Sequence, residues 1–189
     1  ILNNKFYPMH SKITVHLFLS GGNLRTLIFG YGNLDRQDDG VAWHVIKAYQ
    51  KSSLHPNAEE VCEWISPSGE LVTTFQLQLT PELAQEIEQF DRVCFIDAHT
   101  GSVPEEIHFE KLSPTFQHSP LTHHLTPNSL LAIIQTLYHK EMDAVLLSVR
   151  GYEFEFLQTL SDRTQTLIPK AVDVLHQWVE NTHPQEGSS

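Results

Sequence analysis

The sequence predicts a single α/β domain, a twisted and mostly parallel sheet of about five strands with helices on both faces. Three observations carry this. Short apolar runs alternate with stretches of helical periodicity, the order expected of strand-helix units. The runs are continuously apolar, as in strands buried on both sides. No internal repeat or linker divides the 189 residues, a length that suits one domain with a real core.

Thr26, Leu27, Ile28 and Phe29 form the first run, which enters the loop Gly30-Tyr31-Gly32-Asn33 as a buried strand enters a tight turn. Val41, Ala42, Val45, Ile46 and Tyr49 then recur at intervals of three and four, marking a helix with Asp38 and Asp39 where an N-cap and first turn favour acids. A second strand is predicted over 61–65, and 71–77 is mixed in pattern and could be a strand. Thr80-Pro81-Glu82-Leu83 reads as a helix start, with a cap and Pro at the first position, the helix running to about Phe90. Residues 92–97 are the clearest buried strand and end on Asp97. An edge strand is expected over 107–112. A helix follows Thr126-Pro127 with Leu130, Leu131, Ile134 and Leu137 along one side, then a strand over 144–149 and an amphipathic helix over 161–179. The domain is thus expected over 24–180, between a leader of uncertain structure (1–23) and a polar tail (181–189).

A formal charge of −11 and the lack of a basic stripe argue against nucleic-acid binding. The apolar run at 13–19 holds His16 and is only seven residues long, too short to span a bilayer and marginal as a signal peptide. Cys62 and Cys94 are lone cysteines inside apolar runs, without metal or redox spacing. They are expected to be buried small hydrophobes in a reducing cytoplasm.

Ligands in such sheets bind beyond the carboxyl ends of the strands. Three segments place polar residues there: the loop from Gly30 to Gly40, Asp97-Ala98-His99, and Thr122-His123-His124. Two carboxylates and an imidazole converging from them would suit a borderline metal such as nickel or zinc. Each segment also has a plainer reading. Asp38-Asp39-Gly40 can be a helix cap, His123-His124 a solvated loop pair, and His99 a surface residue, one that supports a site or one that faces the substrate. Asp97 leans functional, since charge at the end of a buried strand is costly unless paired or used. The Gly-x-Ser-x-Gly elbow, the Cys-His pair and the His-Glu-x-x-His helix are absent.

Gly30-Tyr31-Gly32-Asn33 followed by Asp38-Asp39-Gly40 resembles the opening motif of the nickel-iron hydrogenase maturation proteases. Phe95-Ile96-Asp97-Ala98 resembles their second motif, and His123 followed by Leu130-Leu131 their third. The order is the family's, and the likeness runs from Arg25 to Val179. It implies a phosphorylase/hydrolase-like fold and an endopeptidase that removes the C-terminal extension of a hydrogenase large-subunit precursor. Asp39 and Asp97 would be the catalytic carboxylates, and Asp39, Asp97 and His123 would recognise nickel borne by the substrate rather than held by the enzyme. With the chain's negative charge and no long apolar run, no nucleic-acid or membrane partner is expected. Two stretches depart from the family pattern: Leu34-Asp35-Arg36-Gln37 is more polar than usual, and the segment from Gly151 lacks a common Glu/Gln-Pro. Ala42 also stands where many members have Gly. The competing expectations are a non-catalytic metal-sensing chaperone of the same precursor, and a spore-germination-type acid-dependent protease that needs no histidine.

Overall fold

The computed structural model describes residues 24–53, 63–116 and 125–181. The expectations for the leader, Cys62, His123, His124 and all but the first residue of the tail lie outside the described residues.

The strands are β1 (Thr26–Tyr31), β2 (Glu63–Ile65), β3 (Leu71–Gln76), β4 (Arg92–His99), β5 (Ile107–Lys111) and β6 (Asp143–Arg150). They form one six-stranded sheet in the order β2-β3-β1-β4-β6-β5. The four inner strands are parallel, and the two short edge strands run antiparallel to their neighbours. The sixth strand is β3, the stretch whose pattern is mixed in sequence. It is an interior strand, with Thr73 and Thr74 fully buried. The Thr73 hydroxyl accepts from the buried Gln50 amide at 2.7 Å, so polarity on a buried strand breaks the apolar run without breaking the strand.

Helices α1 (Val41–Ser53) and α5 (Ile168–Glu180) cover one face. Ile28, Cys94, Ile96, Leu147 and Val149 of the sheet meet Val45, Ile46, Val172 and Leu175 there. Helices α2 (Leu83–Ile87) and α3 (Pro127–Tyr138) cover the other, packing Leu83, Ile87, Leu130 and Ile134 on Leu27, Phe29, Val93 and Phe95. Alternate residues of each inner strand thus serve opposite cores, which explains why the strands read as unbroken apolar runs. Cys94 sits in the first core, as expected of a small hydrophobe.

Several boundaries differ from the sequence pattern. α2 spans five residues, and 80–82 form the turn leading into it, with the Leu83 N–H on the Thr80 carbonyl. Leu137, expected on the core stripe, is exposed in the last turn of α3. The helix expected over 161–179 is two: α4 (Asp162–Gln165), capped by the Ser161 side chain, and α5, with Pro169 in its first turn. Proline lacks the N–H that would continue the first helix but suits the start of the second. The Thr126 cap behaves as read, its side chain accepting from the Ser129 N–H with Pro127 opening α3. Among the described residues no helix is long and apolar enough to cross a membrane.

Candidate active site

The connection leaving β1 carries α1 on one face of the sheet, and the connection from β4 to β6, which includes β5, carries α3 on the other. The crevice beyond their carboxyl ends is therefore the point where the topology reverses. A cleft of about 530 Å³ opens there, lined by Tyr31, Asn33, Arg36, Asp39, Asp97 and Leu125, with Leu77 and Leu79 beyond the end of β3. The structure thus brings Asp39 and Asp97 into one cleft. His123 and His124 lie outside the described residues, and Leu125, two positions further along the chain from His123, lines the cleft.

The loop carrying Asp39 is built by its own sequence. The Asn33 side chain accepts from the Asp35 N–H at 2.9 Å, an Asx turn, while the Asn33 N–H donates to the Asp39 carboxylate at 2.9 Å. Gly32 has φ +142°, and a Cβ there would stand 2.0 Å from the Asp39 carbonyl oxygen. Only glycine permits that approach. Residues Gln37–Gly40 then form a 3₁₀ turn that runs into α1.

Asp97 ends the apolar part of β4. The register pairs Gly30 with Ile96, so Tyr31 and Asp97 are next along, on the same face. The Tyr31 hydroxyl and the Ala98 N–H, the latter at 2.8 Å, donate to the Asp97 carboxyl. Burial pushes that carboxyl up to about 7 against these hydrogen bonds, and the charge of Asp39 adds to the rise. Burial, and then the charge of Asp97, also raise the Tyr31 phenol well above its ordinary value, so it remains a donor. Sequence reasoning passes over Tyr31, which stands between two motif glycines with nothing in its type to mark it.

Asp38 has a different task from its neighbour. It is fully buried and accepts from the Tyr152 and Glu153 N–H groups at 2.8 and 2.9 Å. The Ser161 N–H, the Ser161 hydroxyl and the Thr164 hydroxyl each donate at 2.7 Å. Burial works against the charge, but the donors outweigh it and hold the carboxyl below its ordinary range. The capping reading of Asp38 is therefore replaced: its partners come from a distant segment, not from the first turn of α1. His99 is buried near the end of β4, its Nδ1 accepting from the Gly101 N–H at 3.2 Å, so it is not a surface residue.

No family model matches the sequence. A protein of Methanocaldococcus jannaschii, provisionally named a hydrogenase maturation protease, is 26% identical over 152 residues, spanning 79% of this chain and 92% of that one. The hydrogenase maturating endopeptidase HybD of E. coli shares the fold, with TM-score 0.61 and 18% identity over 84% of this chain and 94% of that one. In sequence and in fold the chain is similar to proteins named as hydrogenase maturation proteases. The NiFe hydrogenase maturation protease HycI of Thermococcus kodakarensis is a further structural match, with TM-score 0.59 and 17% identity over 85% of this chain and 96% of that one.

The stretches that depart from the maturation-protease pattern meet in space. The Gln158 amide donates to Asp35 at 2.7 Å. The Gln37 N–H donates to the Leu157 carbonyl at 2.7 Å, and the Gln37 side chain accepts from the Glu155 N–H at 2.9 Å. These bonds hold Gln37 in the left-handed region, φ 46°, a cost of about 1 kcal/mol for a non-glycine residue. Ala42 fits because its partner is Gly30, where a Cβ would come within 3.1 Å of the Ala42 methyl.

Proposed function

We propose that this chain is an endopeptidase that removes the C-terminal extension of a nickel-iron hydrogenase large-subunit precursor once nickel is in place, with Asp39, Asp97 and His123 recognising the metal. The observation that carries the reading is the pair Asp39 and Asp97 in one cleft at the topological switch point, with the Asp97 proton balanced near neutrality. A carboxyl near 7 can accept a proton from water as the oxygen adds to a peptide carbonyl, then return it to the departing amine as the C–N bond breaks. Leu77, Leu79 and Leu125 give the cleft an apolar wall against which an extended polypeptide could lie.

Nickel enters this scheme as part of the substrate. Two hard carboxylates and one imidazole, without a thiolate, leave coordination positions open and suit recognition of a centre already held by other ligands. Incubating the purified protein with nickel-loaded precursor should release a C-terminal fragment. Asp97→Asn and His123→Ala should each stop the release. A precursor bound but left intact would favour the metal-sensing chaperone. Full activity in His123→Ala would favour the acid-dependent protease.

A further inference from the structure

We propose that Arg36, held at the mouth of the cleft by residues 154–156, determines specificity by binding a carboxylate of the polypeptide substrate. This rests on the function proposed above. Among the described residues lining the cleft, Arg36 is the only lysine or arginine, and the ionisable groups deeper in are Asp39, Asp97 and Tyr31. In a chain of formal charge −11, a substrate carboxylate is repelled by the floor of the cleft and drawn to Arg36. That asymmetry would fix the direction of the polypeptide and the peptide bond that reaches Asp39 and Asp97.

The side chain is set up for this. Its guanidinium lies 5.6 Å over the Phe156 ring, and Nη2 donates to the Phe154 carbonyl at 3.4 Å. Arg36 itself is exposed, and no carboxylate lies within ion-pair distance of it among the described residues. Phe156 is 81% exposed. Such exposure in a well-anchored stretch needs a reason, and stacking the arginine supplies one. The anchors are the hydrogen bonds that Tyr152, Glu155 and Gln158 donate to Asp38, Gln37 and Asp35. A planar fork held in this way can meet a carboxylate with two parallel N–H donors, which a lysine cannot.

The test is steady-state cleavage of nickel-loaded precursor by Arg36→Gln, Arg36→Lys and Phe156→Ala, with binding of the intact precursor measured in parallel by surface plasmon resonance. Arg36→Gln should raise KM and the dissociation constant at least tenfold while kcat stays within twofold. Arg36→Lys should recover part of the loss, and Phe156→Ala should fall between. Two substrate arms separate the sources of the carboxylate: precursors with single Asp or Glu residues neutralised in the extension, and a precursor ending in an amide. The arm that removes the partner should weaken wild type by the same factor and leave Arg36→Gln unchanged, the signature of a coupled pair. An Arg36→Gln enzyme with unaltered KM and binding, or losses that multiply in every arm, would overturn the inference. Wild type that binds but does not cut counts against the protease reading, while the binding arms still decide Arg36. Wild type that does neither overturns both.

Discussion

Asp38 and Asp39 are consecutive, yet one carboxylate is spent on five donors from residues 152–164 and the other lines the cleft. The first fixes the turn; the second is presented by it. A doublet that reads as one acidic cluster in sequence is two residues with separate tasks.

Asp38→Ala should cost about 3–5 kcal/mol, the range for breaking a buried, hydrogen-bonded charge, because it strands backbone and hydroxyl donors around the gap. Asp38→Asn should also destabilise, since its amide turns a donor towards donors. The folded pKa of Asp38 lies below its unfolded value. Its contribution is therefore complete above about pH 4 and lost as pH falls through the folded value. Denaturant melts from pH 7 to 3 of wild type and Asp38→Ala should converge at the acid end.

Asp97 runs the other way. Its folded pKa of about 7 exceeds an unfolded value of about 4, so the native state keeps a proton that the unfolded chain has shed. Its effect is thus an increasing loss of stability as pH rises from about 4 to 7. Asp97→Asn should be more stable than wild type at pH 8 by roughly 1–3 kcal/mol, discounted for partial solvent access, yet cleave nothing. Carboxyl carbon NMR should find Asp97 titrating near neutrality. Tyr31→Phe should shift it up by removing a hydrogen bond, and Asp39→Asn should shift it down by removing a charge. An ordinary carboxylate titration in wild type would refute the account.

Gly32→Ala adds a methyl group where the Asp39 carbonyl already stands, and at a φ of +142°. Cleavage should fall at least a hundredfold, with roughly 2–4 kcal/mol of destabilisation from strain and displacement. Gly69→Ala is the control: its φ is +74° but nothing lies within 4 Å of the added atom. It should cost about 1 kcal/mol and leave cleavage intact.

The proposed role of nickel makes its own demand. Purified protein should carry little metal, nickel-free precursor should resist cleavage, and nickel-loaded precursor should be cut. Elemental analysis beside a cleavage assay reads all three. Efficient cutting of nickel-free precursor by a zinc-filled enzyme would mark an ordinary metalloprotease instead.

Much of this was legible because parallel strands announce themselves. Residues 27–29, 93–96 and 144–147 are apolar on both sides, and the acids that follow the first two stand where such sheets bind ligands. β3 was harder, since its buried Thr73 satisfies its polarity through Gln50, a partner that a linear pattern does not reveal. The break before α5 was masked by an apolar periodicity that continues across it. The task of Asp38 could not be read locally, because its donors lie more than a hundred residues away. Tyr31 and Arg36 gain meaning only from the strand register and from the ring of Phe156.

The long reach of Asp38 has a consequence for biogenesis. Its last donor is the hydroxyl of Thr164, so every strand of the sheet is synthesised before the turn bearing Asp39 acquires its full set of partners. A growing polypeptide truncated at Arg150 would have the whole β-scaffold and none of these donors. The turn bearing Asp39 therefore gains its full support only after the last strand of the sheet has been made.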